Sequence, residues 1–171
     1  MTGNGDAPDE GVFKMMRFLR AWWWRILIAL VVALVLIQFI PYSVSNPSAR
    51  DEPKWDSART RSLVMRACAD CHSDETHVLW FEQGAPVKWY VANHVKEGRS
   101  ALNFSEWHTA AGRGADEAAE PIGHGSMPPG YYTYFGLHSD SKLTAAEKQQ
   151  LVDGLKKTIA ADPPAGKHGK D

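Results

Sequence analysis

One long apolar run dominates the chain, and only short amphipathic stretches follow it. Ile26 to Ile40 is fifteen residues long, with Gln38 as its only polar member. That falls short of the roughly 20 residues of a membrane span, but Ala21-Trp22-Trp23-Trp24-Arg25 extends it. Tryptophans suit a bilayer interface, and Arg25 can keep its stem in apolar surroundings while its charge reaches the headgroups. The pattern predicts a transmembrane helix over 21–40. A cleaved signal peptide is the competing reading, because basic charge precedes a short apolar run. The run ends in Phe39-Ile40-Pro41-Tyr42 with no A-x-A cleavage site, which favours an uncleaved anchor. Lys14, Arg17, Arg20 and Arg25 precede the span, whereas only Arg50 and Lys54 follow it closely. The positive-inside rule then puts the N-terminus in the cytoplasm and the rest of the chain across the membrane.

After the span the hydrophobic period is helical throughout. Ser57 or Asp56 can cap a helix running from about Ala58 into the cysteines, with Leu63 and Val64 inward. Pro86 suits the first turn of a second helix, in which Val87, Val91, His94 and Val95 recur to about Gly98. The same apolar face makes His94 a core histidine first and a ligand second. Thr144-Ala145-Ala146-Glu147 is a capping box, followed by Leu151, Val152, Leu155 and Ile159 on one face. Between Trp107 and Gly125 glycines and Pro121 interrupt the period, predicting a loop with one short helix near Asp116–Glu120. No alternating run predicts a sheet. The fold class is therefore all-α, with one transmembrane helix ahead of a helical domain. The divisions are a cytoplasmic or interfacial N-terminus (1–20), the anchor (21–40) and a Pro/Ser linker (41–55). A folded domain (56–160) and a flexible tail (161–171) complete the chain. Residues 1–11 read as disordered, and Val12–Arg20 as a helical extension at the interface.

Composition narrows the choices little. The 171 residues carry 19 Lys/Arg against 20 Asp/Glu, so no basic field announces nucleic acid. The cysteine count is sharper. The chain has two cysteines, and both lie in Cys68-Ala69-Asp70-Cys71-His72. This is C-x-x-C-H, the attachment motif of a c-type haem. Two thiols add across the haem vinyl groups as thioethers, and the adjoining His72 supplies the proximal nitrogen to iron. A structural zinc site would need a second ligand pair, and a thioredoxin-type motif would sit in a βαβ pattern. Neither is present in the sequence. The cofactor expected is one covalently bound haem c. The helix order around it resembles a cytochrome c domain, in which the first and last helices pack together.

The sixth iron ligand decides between electron transfer and chemistry on a bound gas or peroxide. Met1, Met15 and Met16 precede the span, and Met65 lies one turn before Cys68 on the same helix. That leaves Met127, in Gly123-His124-Gly125-Ser126-Met127-Pro128-Pro129-Gly130. Two prolines stiffen this segment, and its glycines allow close approach to a porphyrin. Histidine is the alternative distal ligand, from His77, His94, His108, His124 or His138; His168 lies in the tail. The metal ligands expected are thus His72 and Met127, with His124 and His94 as alternatives to the latter.

The chain also resembles a family of small, membrane-anchored bacterial proteins described as haem-binding domain proteins. The resemblance runs from Leu36-Ile37-Gln38-Phe39-Ile40-Pro41-Tyr42 to about Ile159. It is carried by Cys68 to Thr76, Ala85-Pro86-Val87-Lys88-Trp89, His94 to Arg99, Leu102-Asn103-Phe104-Ser105-Glu106-Trp107, Gly125-Ser126-Met127-Pro128-Pro129 and Tyr131-Tyr132. It implies Cys68 and Cys71 as thioether sites, His72 as proximal ligand and Met127 as distal ligand. The sequence departs from the family pattern at Val78-Leu79-Trp80-Phe81 and at His138-Ser139, where Trp-Pro and His-Pro pairs are expected. Phe104 and Trp107 are expected in the core. A sharper expectation gives Asn103, Ser105 or Trp107 a hydrogen bond to a haem propionate or to the distal ligand.

Taken together, these features predict a membrane-anchored periplasmic cytochrome of a bacterial inner membrane, passing single electrons. Its partners would be redox proteins or a membrane electron-transfer complex, with no nucleic acid and no small-molecule substrate. A haem peroxidase or gas sensor with a labile distal ligand is the alternative, and a purely structural haem is a third.

Overall fold

The structure is a computed structural model and describes residues 10–48 and 50–165. The chain divides at Pro41 and Tyr42 into two units. The first contains α1 (Glu10–Ile37), a helix of 28 residues with no buried side chain. At 1.5 Å per residue it is about 42 Å long, more than the ~30 Å of a bilayer core. It is long and apolar enough to cross a membrane. Arg25 sits over the rings of Trp22 and Trp24 at 5.4 and 5.5 Å, a cation–π arrangement suited to an interface. The expected disorder of the first residues falls largely on 1–9, and the expected tail on 161–171. Residues 1–9 and 166–171 lie outside the described residues, as do Met1 and His168 with them.

The second unit is helical, and no strand occurs among the described residues; Asp51 and Glu106 form one isolated bridge. Its helices are α2 (Ala58–Ala67), α3 (Ala69–His72), α4 (Val87–Ala101), α5 (Ala119–His124) and α6 (Ala145–Ala161). Four 3₁₀ segments lie between them, at Trp80–Gln83, Ala110–Glu117, Gly130–Gly136 and Ser139–Ser141. Ser57 caps α2 by accepting from Thr60 N at 3.1 Å. Thr144 and Glu147 close the capping box on α6. Both caps are local devices, satisfying amide groups that a helix start leaves unpaired.

The first and last helices of this unit pack on each other. Leu63 and Val64 of α2 share one buried core with Leu151, Val152 and Leu155 of α6. A Cβ on Gly154 would collide with the Thr60 side chain, so glycine sets how closely the two helices approach. Glu147 accepts from Arg66 at 2.6 Å and Arg59 at 3.1 Å, clamping α6 to α2. Leu102, Phe104, Trp107, Ala115 and Ile122 close the same core from the side.

Three segments differ from the expectation. Residues 107–125 are largely helical rather than a loop. Pro121 falls in the first turn of α5, where its missing N–H is no loss, and Gly125 ends that helix at φ 76°. The helix leading into the cysteines breaks at Cys68, whose φ of −124° separates α2 from α3. Residues 42–56 are a docked strap rather than a spacer. Asp51 N donates to Ser105 O at 2.8 Å, Lys54 N to Asp162 Oδ2 at 2.7 Å and Asp56 N to Thr158 Oγ1 at 3.1 Å. Pro53 is buried and Trp55 packs on Phe104. The proline content that reads as a linker equally suits an extended segment whose backbone bonds go to its neighbours.

Candidate functional site

Cys68, Cys71 and His72 lie on the short α3 turn and the residue before it. The turn is held by Cys71 N and His72 N, which donate to Cys68 O at 3.2 and 2.9 Å. Both thiols are free. Burial pushes the Cys68 thiol up to about 12, with Cys71 adding to the shift. Burial also pushes Cys71 up to about 11, helped by the Asp70 and Glu82 carboxylates. Both are thus neutral thiols near pH 7, unlike the thiolates of a zinc site or a reactive redox cysteine.

His72 Nδ1 lies 3.0 Å from Leu102 O. A carbonyl only accepts, so Nδ1 carries the proton and Nε2 carries the lone pair. That is the tautomer and the fixed ring of a metal-ligating histidine. Burial lowers the pKa of His72, keeping the imidazole neutral. The acceptor comes from the end of α4, which presses on the motif. A Cβ on Gly98 would collide with the carbonyl of Cys71.

Behind the motif the turn Ser73–Thr76 is locked by Arg99. Its Nε donates to Ser73 O at 2.8 Å and its Nη1 to Ser45 O at 2.7 Å. Its Nη2 donates to Asn46 Oδ1 at 2.9 Å and Thr76 Oγ1 at 3.0 Å. The Asn46 side-chain amide also donates to Thr76 O at 2.9 Å and accepts from Thr76 N at 3.2 Å. Buried Asp74 pairs with Arg99 at 3.5 Å and accepts from Asn103 Nδ2 at 3.1 Å. Arg99 is the organising residue of this side. Its place in His94-Val95-Lys96-Glu97-Gly98-Arg99 marks it for attention, but no local pattern discloses its partners.

Asn103, Ser105 and Trp107, expected to serve the haem or its distal ligand, each have a partner within the chain. Asn103 Nδ2 is bonded to Asp74, Ser105 Oγ accepts from Asp74 N at 2.9 Å, and Trp107 Nε1 donates to Asp162 O at 2.8 Å. All three residues are buried, so their polar groups serve the fold. Phe104 and Trp107 are core residues, at 2% and 0% exposure. Phe104 N also donates to His72 O at 2.8 Å, which ties this segment to the motif.

Met127 follows the C-terminal cap of α5. Ser126 N and Met127 N both donate to Pro121 O, at 3.0 and 3.1 Å. This satisfies a carbonyl that the helix end would leave unpaired. Ile122 anchors α5 in the core, so the cap hangs from a fixed element. The Met127 side chain itself is 39% exposed, without the burial of a core methionine. Met65 lines a different surface, a cavity it shares with Arg66, Asp70 and His138.

The histidines separate by their partners. His108 donates from Nδ1 to Asp51 at 2.9 Å and from Nε2 to Asp162 at 3.2 Å, and so is spent between two carboxylates. His138 stacks on Tyr132 and lies 3.4 Å from Glu82. His77 is exposed and His124 is exposed at the end of α5. His94 is half-buried rather than in the core, with Nδ1 3.1 Å from Tyr90 O. The buried residues of α4 are Ala92 and Val95. This leaves Val87 and Tyr90 exposed at 43% and 57% on another face.

A neutral imidazole beside two unoxidised thiols, flanked by uncovered apolar and aromatic side chains, defines a haem protein in the light of one comparison. The model of a haem-binding domain matches residues 32–157. The chain belongs to that haem-binding domain family. No curated protein and no solved structure matches the chain. The residues fit the group: His72 has its donor nitrogen fixed by Leu102, and the two thiols have no competing disulfide. The uncovered faces of Val87, Tyr90, Tyr131 and Met127 are of the kind a porphyrin buries.

Proposed function

We propose that the protein is a membrane-anchored monohaem c-type cytochrome that passes single electrons between redox partners or within a membrane complex. In this reading Cys68 and Cys71 hold the haem as thioethers, His72 is the proximal ligand and Met127 the distal one. The observation that carries it is the Nδ1 bond of His72 to Leu102 O at 3.0 Å, which fixes a neutral imidazole and leaves Nε2 as its lone-pair nitrogen. When bound, the haem supplies an iron that alternates between ferrous and ferric states. The chain's own work is to hold that geometry unchanged through the cycle. The Leu102 carbonyl fixes the imidazole and raises its basicity. The Arg99 hub immobilises the turn behind it. The α5 cap carries the thioether of Met127, which favours the reduced iron. The positive-inside charge bias supports α1 as an anchor with the haem domain in the periplasm of a bacterium. Tethering would raise the concentration of this domain near membrane-bound partners.

Acid–acetone extraction of the purified full chain tests the attachment. The proposal expects the haem to stay with the polypeptide in the wild type and to be released from a Cys68→Ala/Cys71→Ala variant. Complete extraction of haem from the wild type would contradict it.

A further inference from the structure

The segment bearing Met127 makes a second contact with the motif, far from the α5 cap. Tyr132 Oη donates to Asp70 Oδ2 at 2.6 Å. Asp70 is the residue immediately before Cys71. Its carboxylate is held from the other side, since Oδ1 accepts from His77 N at 2.7 Å. Its carbonyl accepts from Thr76 Oγ1 at 2.8 Å. Asp70 is therefore a fixed acceptor. Tyr132 is a fixed donor. Its ring stacks on His138 with centroids 4.0 Å apart and planes 15° from parallel. His138 is steadied in turn by Glu82, 3.4 Å from Nε2. Burial, and then the Asp70 carboxylate, hold the Tyr132 phenol protonated well above the usual range.

Between Met127 and Tyr132 the backbone is stiff. Pro128 and Pro129 fix two φ angles, and Tyr132 N donates to Pro129 O at 3.0 Å as the 3₁₀ segment begins. The methionine thus sits on a short strut with two attachments. One is Pro121 O on α5; the other is Asp70 inside the cysteine motif. Neighbouring Tyr131 has a different fate, 46% exposed and edge-on to His94.

We infer that the Tyr132–Asp70 hydrogen bond is a latch, and that Tyr132 is a positioning residue for the distal ligand. Because Asp70 belongs to the motif, the latch references the position of Met127 to the same turn that carries Cys68, Cys71 and His72. Without it the strut keeps the Pro121 bonds and the looser stack on His138 but loses its hydrogen bond to the motif, and the thioether samples a wider range of positions. This inference rests on Met127 as distal ligand.

The test uses the full chain with haem bound, purified in detergent. Tyr132→Phe keeps the ring and its stack on His138 but removes the donor. The expected result is unchanged haem attachment and helix content. The ferric charge-transfer band of thioether ligation should weaken, and carbon monoxide should bind the reduced protein faster by on the order of tenfold, the scale of a hydrogen bond to a charged group. Asp70→Asn, which keeps an acceptor oxygen, should lie between wild type and Tyr132→Phe on both readouts. If Tyr132→Phe does not fold, this ordering in Asp70→Asn against wild type carries the test. A band and carbon monoxide rate identical to wild type in the folded variants would overturn the latch alone. A wild type that lacks the thioether band would overturn the latch together with the ligand assignment beneath it.

Discussion

The two sides of the motif are built differently. Behind Cys71 and His72, Arg99 makes four hydrogen bonds to two separate segments and pairs with buried Asp74. On the Met127 side the anchoring is sparse, consisting of the α5 cap, the Tyr132 phenol and the stack of its ring on His138, with the methionine itself exposed. The first arrangement resists motion, because removing any member leaves buried polar groups unpaired. The second can be adjusted at low cost. In the proposed reading the contrast has a use, because a proximal histidine must not move, whereas a distal ligand sets the iron's properties and is the natural place for tuning.

Substitutions can break this contrast in order of size. Arg99→Ala should be the most damaging, destabilising by about 3–5 kcal/mol in chemical unfolding, since it strands the Asp74 carboxylate in the core. Arg99→Lys should recover only part of the loss, because an ammonium cannot reproduce the planar fork. Gly154→Ala should cost about 1–3 kcal/mol, because its new methyl meets Thr60 and forces α2 and α6 apart. An unfolding midpoint equal to wild type would show that the helices can shift freely. Met127→Ala should move the midpoint less than either, yet abolish the thioether band that Arg99→Lys retains while folded.

The smallest effect concerns the strap. His108 lies between Asp51 and Asp162, whose hydrogen bonds raise its pKa above the ordinary 6.5. The bond to His108 lowers Asp51 below 3.8, and the Lys54 amide, with His108, lowers Asp162. The histidine's contribution is complete below its ordinary pKa and is lost as pH rises through the raised value. The carboxylates' contributions are present above their ordinary pKa and are lost as pH falls through the depressed values. His108→Ala should therefore cost most in mildly acidic solution, at up to about 1 kcal/mol, since His108 and Asp51 are exposed although Asp162 is buried. The difference from wild type should shrink towards alkaline and strongly acidic pH. A pH-independent difference would rule out the charged clip.

What could be read in advance follows the range of the interactions. The caps at Ser57 and Thr144 are legible because each bond spans three residues. The apolar faces of α2 and α6 are legible from period alone. The Arg99 hub is not, because its partners lie 23 to 54 positions away and include backbone carbonyls that carry no residue identity. The strap at 42–56 is hidden for the same reason, since its bonds run to residues distant in sequence and several are made by main chain. Residues 107–125 mislead because Gly112 and Gly114 are helix breakers that serve close contacts. A Cβ on either would strike the backbone of Trp107 or Ala101. In the site, Cys68, Cys71 and His72 announce themselves by spacing. The contribution of Asp70 does not, since it depends on a tyrosine 62 positions away. His94 lies outside the core because its helix buries Ala92 and Val95 instead.

The central claim is a haem iron closed on both faces by His72 and Met127. The most direct measurement is the visible spectrum of the reduced full-length protein before and after exposure to carbon monoxide. The account predicts only slow carbon monoxide binding in the wild type, limited by release of Met127, and ready binding in Met127→Ala. Rapid, stoichiometric binding by the wild type would contradict it and point to an open or labile distal site.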